Sequence, residues 1–171
     1  MLNHKFTKTN SFEPTQLYFI VGSGTASASE LLINNLRPYY TNHLFLIGKT
    51  TYGKPCGFWA TPIGYTEKQT TTKEGYDLYA VSFETVNANN EGGYYTGMTP
   101  GTATYPGIQA SDSFYLAWGD VNDGCLSQAM NHISAGTFKT SSSLSKVKAV
   151  HVTPFTTIDR QFKGMIDFRK H

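Results

Sequence analysis

The chain has little cysteine and no long apolar run, and both shortages narrow what it can be. Its 171 residues include two cysteines, Cys56 and Cys125, which match no zinc or CxxC spacing and cannot build a disulfide framework. We expect two buried thiols, and the sequence leaves a single disulfide between them open. No apolar stretch approaches the roughly 20 residues that a membrane-spanning helix needs.

Charge is also sparse, and it is nearly balanced. Charged residues make up 15% of the chain and the formal net charge is +2, so we expect neither nucleic acid nor an anionic membrane as a partner. The length and the 39% hydrophobic content fit one globular domain with its own core. No metal site and no organic cofactor is indicated.

What the sequence does contain is a strand–helix–strand pattern near its beginning. Leu17–Val21 is a continuous apolar run that predicts a strand buried on both faces. Glu30–Leu36 carries a helical apolar face, and His43–Gly48 is a second apolar run. Together they predict a βαβ unit, preceded by a solvated lead-in over residues 1–15.

The second half is predicted to be rich in strands. Phe58–Ile63 and Asp77–Val86 alternate and carry aromatic and β-branched residues, which favours strands, whereas residues 87–113 are predicted to be loop. A helix is predicted over Asp123–Ile133, with Asp123 as its cap, and a strand over residues 147–152. The fold class is therefore α/β with a β-rich second half.

Hydroxyl groups crowd the junction between the first strand and its helix, in the sequence GSGTASASE. Ser27 and Glu30 fit the Ser-x-x-Glu pattern of a capping box. A turn between a strand and a helix also suits a nucleophile, because free amides at the helix start can hold an oxyanion. The segment lacks the second glycine of a G-x-S-x-G elbow. Both interpretations stay open at this point.

A serine nucleophile needs a base. The five histidines show no triad spacing: His4, His43, His132, His151 and His171. Lys54 follows the second strand as Ser27 follows the first, and neighbouring parallel strands end side by side. A lysine accepts a proton only when it is uncharged, which needs a dry setting that Tyr52, Phe58 and Trp59 could supply. The alternative is an exposed lysine after a glycine turn.

The two segments GTASASELL and LIGKTTYGK closely resemble the C-terminal processing (tail-specific) peptidase family. The resemblance implies Ser27 as nucleophile, Lys54 as general base and the amide of Ala28 as half of an oxyanion hole. The candidate supporting residues are Glu30, Tyr52 and Phe58. It also implies a crotonase/ClpP-like protease core that hydrolyses unfolded or C-terminal peptide segments, without a metal or a cofactor.

Two later segments extend the resemblance, and two residues depart from it. Gly93–Gly101 and Gly119–Met130 are similar to segments that follow the core strands in the family. Many members carry a glutamine that orients the lysine where this chain has Phe58, and Gly101 stands where the family has an aspartate. The first departure leaves open what orients Lys54.

Residues 16–136 resemble only the C-terminal part of the family's core, with residues 137–171 as a tail. Family members carry a PDZ-like module and the first half of the core upstream, and that half supplies the second oxyanion amide. We therefore expect little or no peptidase activity from this chain alone. The resemblance also implies a periplasmic, outer-envelope-anchored or secreted location, with any export signal upstream of the polar Met1–Gln16 segment.

Two other functions remain open. Retinoid-binding carriers are similar to these peptidases, and Phe58 together with the 14% aromatic content keeps a non-catalytic ligand- or peptide-binding domain as an alternative. The second is a scaffold module in which the hydroxyls of the turn only cap a helix.

Overall fold

The structure is a computed structural model that describes residues 13–64 and 75–139. The predicted strand at 147–152 and most of the lead-in and the tail lie outside the described residues. The elements in chain order are β1 (Leu17–Val21), α1 (Ala28–Leu36), β2 (Leu44–Gly48), β3 (Cys56–Ile63), β4 (Tyr76–Glu84), β5 (Gly107–Gln109) and α2 (Gly124–Ala135), with a 3₁₀ turn at Arg37–Tyr39.

A parallel sheet with the strand order β1-β2-β5 forms the centre of the described region. Leu17 pairs with Leu44 and Val21 with Gly48, so β1 and β2 run in register along their whole length. The middle strand, β2, is buried at every residue, which accounts for its uninterrupted apolar sequence. The predicted βαβ unit and the α/β class are confirmed.

The two helices bury apolar side chains on the sheet. One cluster includes α1 and the first two strands, and its buried members are Val21, Ile33, Leu44, Leu46, Tyr94 and Met98. The other includes α2, and its buried members are Ile47, Cys125 and Ala129. β2 is thus covered on both faces. β1 is only partly covered, since Val21 is its one buried residue and Ile20 is 50% exposed, so the prediction that β1 is buried on both faces is wrong. The reason is that β1 lies at the edge of the described sheet, where an apolar run does not by itself secure burial.

Asp123 caps α2 as the sequence predicts. Its carboxylate accepts hydrogen bonds from the backbone amides of Cys125 at 3.0 Å and Leu126 at 2.8 Å. The helix ends at Gly136, whose φ of 71° is the left-handed conformation common after a helix. Among the described residues, neither helix has the length and apolarity to cross a bilayer.

The thiols of both cysteines are free. Cys125 is buried against the sheet, and this burial raises the pKa of its thiol to about 11. Cys56 is half-buried at the start of β3. The expected burial is therefore confirmed for Cys125 and partial for Cys56.

β5 corrects the prediction that residues 87–113 form only loop. Three residues of this segment pair in parallel with β2, with Gly107 opposite Leu46. A Cβ on Gly107 would lie 1.8 Å from the carbonyl oxygen of Leu46, so only glycine allows this approach. Such a short strand is fixed by its partner rather than by its own pattern, and the sequence pattern could not show it.

β3 and β4 form a separate antiparallel hairpin, which pairs Cys56 with Glu84 and Ile63 with Tyr76. Every residue of β4 is exposed, and so is β3 from Trp59 onward. Several of these exposed side chains are large and apolar: Trp59, Ile63, Tyr76, Leu78 and Val81. The predicted strands are confirmed, but nothing among the described residues covers either face of them beyond the base of the hairpin.

Candidate active site

Two chain segments meet at the carboxyl edge of the parallel sheet. We name residues 22–27, which follow β1, the serine turn, and residues 49–54, which follow β2, the lysine segment. The amide of Tyr52 donates a hydrogen bond to the carbonyl of Thr25 at 2.9 Å, and the amide of Lys49 donates to the carbonyl of Val21 at 3.0 Å. The segments that carry Ser27 and Lys54 are therefore neighbours, as their parallel strands predict.

Ser27 has a strained backbone. Its φ of 54° and ψ of −113° lie outside the helical, extended and left-handed regions that residues other than glycine adopt. Such a conformation costs on the order of 1–3 kcal/mol and persists only where the surroundings impose it. Nucleophiles held on sharp turns between a strand and a helix are strained in a similar way. No sequence pattern pointed to this strain.

Glu30 connects the serine turn to the lysine segment. Its side chain lies in α1 and is fully buried. One carboxylate oxygen accepts hydrogen bonds from the amides of Ser27 at 3.0 Å and Lys54 at 2.8 Å. The other accepts from the Thr51 hydroxyl at 2.5 Å and the Gly53 amide at 2.6 Å. One carboxylate thus fixes the backbone positions of both predicted catalytic residues.

The glutamate half of the predicted capping box is therefore present, and Glu30 has a wider role than a cap. The spacing between Ser27 and Glu30 predicted the bond within α1. The three bonds from Glu30 to the lysine segment join residues that lie 21 to 24 positions apart in the sequence. A local capping pattern cannot predict bonds over that distance.

A third segment, residues 94–99, packs against the lysine segment and forms hydrogen bonds with it. The Met98 amide donates to the Thr51 hydroxyl at 2.8 Å, and the Thr51 amide donates to the Met98 carbonyl at 3.3 Å. Gly97 has a φ of 86°, and a Cβ there would lie 2.2 Å from the Thr51 carbonyl oxygen. Residues 94–99 belong to the Gly93–Gly101 segment that resembled the peptidases. Sequence reasoning gave neither Thr51 nor this contact a role.

The Lys54 side chain is half-buried, and Phe58 is the aromatic residue it contacts. The Nζ atom lies 4.7 Å from the centroid of the Phe58 ring. Tyr52 and Trp59 expose 67% and 61% of their surface, so neither ring encloses the amine. We expected three aromatic rings to shield the amine from water, but of these rings it is Phe58 that lies against the amine, on one side. Tyr52 contributes through its backbone bond to Thr25 instead.

Ala28 is the first residue of α1. Its amide therefore belongs to the first helical turn, whose N–H groups have no acceptor within the helix. This is the position that an oxyanion donor next to Ser27 needs. Within residues 13–64 and 75–139, no group of three or more His, Cys, Asp or Glu side chains is arranged to hold a metal ion.

A strained serine turn and the lysine segment are thus held together by one buried carboxylate at the carboxyl edge of the parallel sheet. No protein-family model matches the chain, and no curated protein matches it. Among solved structures, the chain is similar to the putative S41 protease of Bacteroides fragilis, with a TM-score of 0.54 and 26% sequence identity. The match covers 72% of this chain and 28% of that one. The chain thus spans little more than a quarter of its neighbour, and the likeness supports a protease-like protein in this coarse sense.

Proposed function

We propose that the chain is the C-terminal part of the core of a serine peptidase of the C-terminal processing type. The observation that carries this proposal is the Glu30 carboxylate, which binds the backbone amides of both Ser27 and Lys54. The strain at Ser27 and the likeness to an S41 protease support it. So does the carboxyl-edge placement, where α/β proteins commonly place their sites.

In the proposed reaction, the neutral Lys54 amine takes the Ser27 proton as the hydroxyl oxygen attacks a peptide carbonyl carbon. The negative charge that develops on the carbonyl oxygen is stabilised by the Ala28 amide. Lys54 then gives its proton to the leaving amine as the peptide bond breaks, which leaves an acyl group on Ser27. Lys54 next takes a proton from a water molecule as the water oxygen attacks the acyl carbon. The bond between that carbon and the Ser27 oxygen then breaks, and Lys54 returns the proton to the Ser27 oxygen, which releases the second product and restores the hydroxyl and the neutral amine.

We further propose that the second oxyanion donor comes from a polypeptide segment outside the described residues. The proposed assembly is a crotonase/ClpP-like core with an upstream half and a PDZ-like module, in line with the quarter of its neighbour that the chain matches. One missing oxyanion donor lowers the rate of such enzymes roughly 10²- to 10³-fold, so the chain alone should turn over little peptide. The proposed substrates are unfolded or C-terminal segments, bound as an added strand in a periplasmic, envelope-anchored or secreted setting.

A serine-directed fluorophosphonate tests the proposed nucleophile without requiring full activity. The chain is incubated with the reagent, and the modified residue is found by mass spectrometry. We expect the label on Ser27, and we expect it to be absent from the Ser27→Ala variant and retained in Ser29→Ala, the matched control two positions away. Lys54→Met should also suppress labelling. Equal labelling of the chain and its Ser27→Ala variant would refute the proposal.

A second candidate function is a non-catalytic domain that binds an apolar ligand or peptide. Phe58 at the lysine and the exposed apolar side chains of the β3–β4 hairpin favour it. Saturable binding of an apolar peptide, combined with no fluorophosphonate label on Ser27, would favour the binding domain over the peptidase.

A further inference from the structure

We propose that the Phe58 ring favours the charged form of Lys54 in the resting site and so opposes the action of this lysine as a base. The meaning of this restraint for catalysis rests on the proposed peptidase function. The contact itself and its effect on the amine do not, and they can be measured in a protein without activity.

The geometry of the contact is that of a cation–π pair. The Lys54 Nζ lies 4.7 Å from the ring centroid of Phe58, inside the roughly 6 Å over which an aromatic face attracts an ammonium group. The attraction arises from the negative face of the ring, so it acts on the ammonium and hardly on the neutral amine. The ring therefore favours the protonated form of the lysine.

The position of the Phe58 ring is determined by the hairpin. The register of β3 and β4 shifts between Gly57 and Phe58, and such a bulge changes the direction of the side chain next to it. The ring also packs edge-on against Tyr79 of β4, with centroids 5.7 Å apart and an interplanar angle of 84°. Two independent features thus hold the ring over the amine.

No carboxylate lies within ion-pair distance of the Lys54 amine in residues 13–64 and 75–139. The other titratable groups on the surrounding segments are Glu30, Lys49, Tyr52, Cys56, Tyr79, Glu84, Tyr94 and Tyr95. Glu30 contacts the backbone amide of Lys54, and Cys56 pairs with Glu84 at the base of the hairpin. Among the described residues, Phe58 is the side chain found against the Lys54 ammonium group, and a substitution there leaves all of these titratable groups in place.

Competitive acetylation measures this effect directly, because acetic anhydride reacts only with the neutral amine. The chain is trace-labelled, and mass spectrometry gives the rate at Lys54 relative to the exposed Lys49 of the same segment. We expect Phe58→Leu to raise this ratio about 2- to 30-fold, the range that cation–π contacts span. The matched control Trp59→Leu, which removes an exposed ring beside it, should leave the ratio unchanged.

Fluorinated phenylalanines at position 58 separate this effect from a change in access to the amine. Each added fluorine weakens the negative face of the ring at nearly constant size, so we expect the ratio to rise stepwise with fluorine number. An unchanged or lower ratio in Phe58→Leu, or no trend across the fluorinated series, would overturn the proposal. Absence of the fluorophosphonate label on Ser27 would instead overturn the peptidase and leave this ratio unaffected.

Discussion

The middle strand of the parallel sheet and the outer strand of the β3–β4 hairpin are built from similar apolar residues but differ in burial. β2 is buried along its whole length, whereas β4 is exposed along its whole length. Helices cover both sides of the sheet, and nothing among the described residues covers the hairpin beyond its base. An apolar strand sequence therefore predicts the strand, but its burial depends on what packs against it.

The largest difference in stability is expected when a leucine is replaced by alanine in each region. Leu46→Ala, at a fully buried position of β2, should lower the free energy of unfolding by about 2–5 kcal/mol, since it leaves a cavity in the core. Leu78→Ala, at a position of β4 that is 52% exposed, should change it by less than about 0.5 kcal/mol. Urea unfolding followed by circular dichroism measures both, and equal losses would erase the contrast.

A glutamate-to-glutamine substitution in each region compares a buried carboxylate with an exposed one. Glu30→Gln should lower the free energy of unfolding by about 2–3 kcal/mol, because a buried amide cannot accept all four hydrogen bonds of the carboxylate. Glu84→Gln is the control in the hairpin, where the exposed carboxylate accepts bonds from the Gly93 amide and the Tyr95 side chain. It should cost less than about 0.5 kcal/mol. A Glu30→Gln protein as stable as the control would show that the shared carboxylate has no structural role.

Helix α2 gives a pH-dependent test within the sheet region. Burial raises the pKa of Asp123, but hydrogen bonds from the amides of Leu126, Ser113 and Cys125 and from the Asp112 side chain outweigh it, and the pKa lies below its ordinary value. The carboxylate therefore stabilises the fold above the unfolded-state pKa of about 3.9, and this contribution is lost as the pH falls through the lower folded value.

Asp123→Ala should accordingly lower the free energy of unfolding by about 1 kcal/mol at pH 7. The difference in this free energy between the variant and the parent chain should narrow below about pH 4. Asp112 contributes a pH dependence of the opposite sign. Its hydrogen bond with Asp123 raises the pKa of Asp112, so the folded chain favours the protonated form of the Asp112 carboxyl. Asp120→Ala is the control, because that carboxylate bonds to Asn122 in an exposed turn. Thermal unfolding from pH 3 to pH 8 measures the difference in stability between each variant and the parent chain. A difference for Asp123→Ala that does not change with pH would contradict the prediction.

An effect of similar size but opposite sign, a gain in stability, is expected at the serine turn. Ser27→Gly should raise the free energy of unfolding by about 1 kcal/mol, because glycine adopts the positive φ without strain. Ser29→Gly, in the first turn of α1, should lower it by about 0.5–1 kcal/mol, since glycine disfavours helix. Melting temperatures that shift in the same direction for both variants would argue against strain at position 27.

Local pattern predicted most of the scaffold. The bounds of β1 match the prediction, and the bounds of α1, β2 and β4 agree within two residues at each end. The continuous apolar runs of β1 and β2 also gave the parallel pairing, which in turn predicted that Ser27 and Lys54 follow strands ending at the same edge. These features depend on neighbours in sequence or on one rule of topology, which is why pattern alone sufficed.

Distant contacts could not be predicted. β5 exists because Gly107 fits against Leu46, and the strain at Ser27 exists because Glu30 and the helix hold its backbone. The aromatic enclosure of Lys54 was expected from Tyr52, Phe58 and Trp59, yet of these three rings it is Phe58 that contacts the amine. Nearness along the chain told nothing about which way each ring points. The roles of Ser27, Lys54 and Ala28 in a reaction stay predictions.

The closure at the base of the hairpin has a consequence for how this site can vary. The Pro55 carbonyl accepts bonds from the Thr85 amide at 2.7 Å and the Thr85 hydroxyl at 2.9 Å, so both strands are tied together one residue beyond Lys54. The exposed outer residues of β3 and β4 can therefore be changed without moving the backbone of Lys54, which is fixed from the opposite side by Glu30.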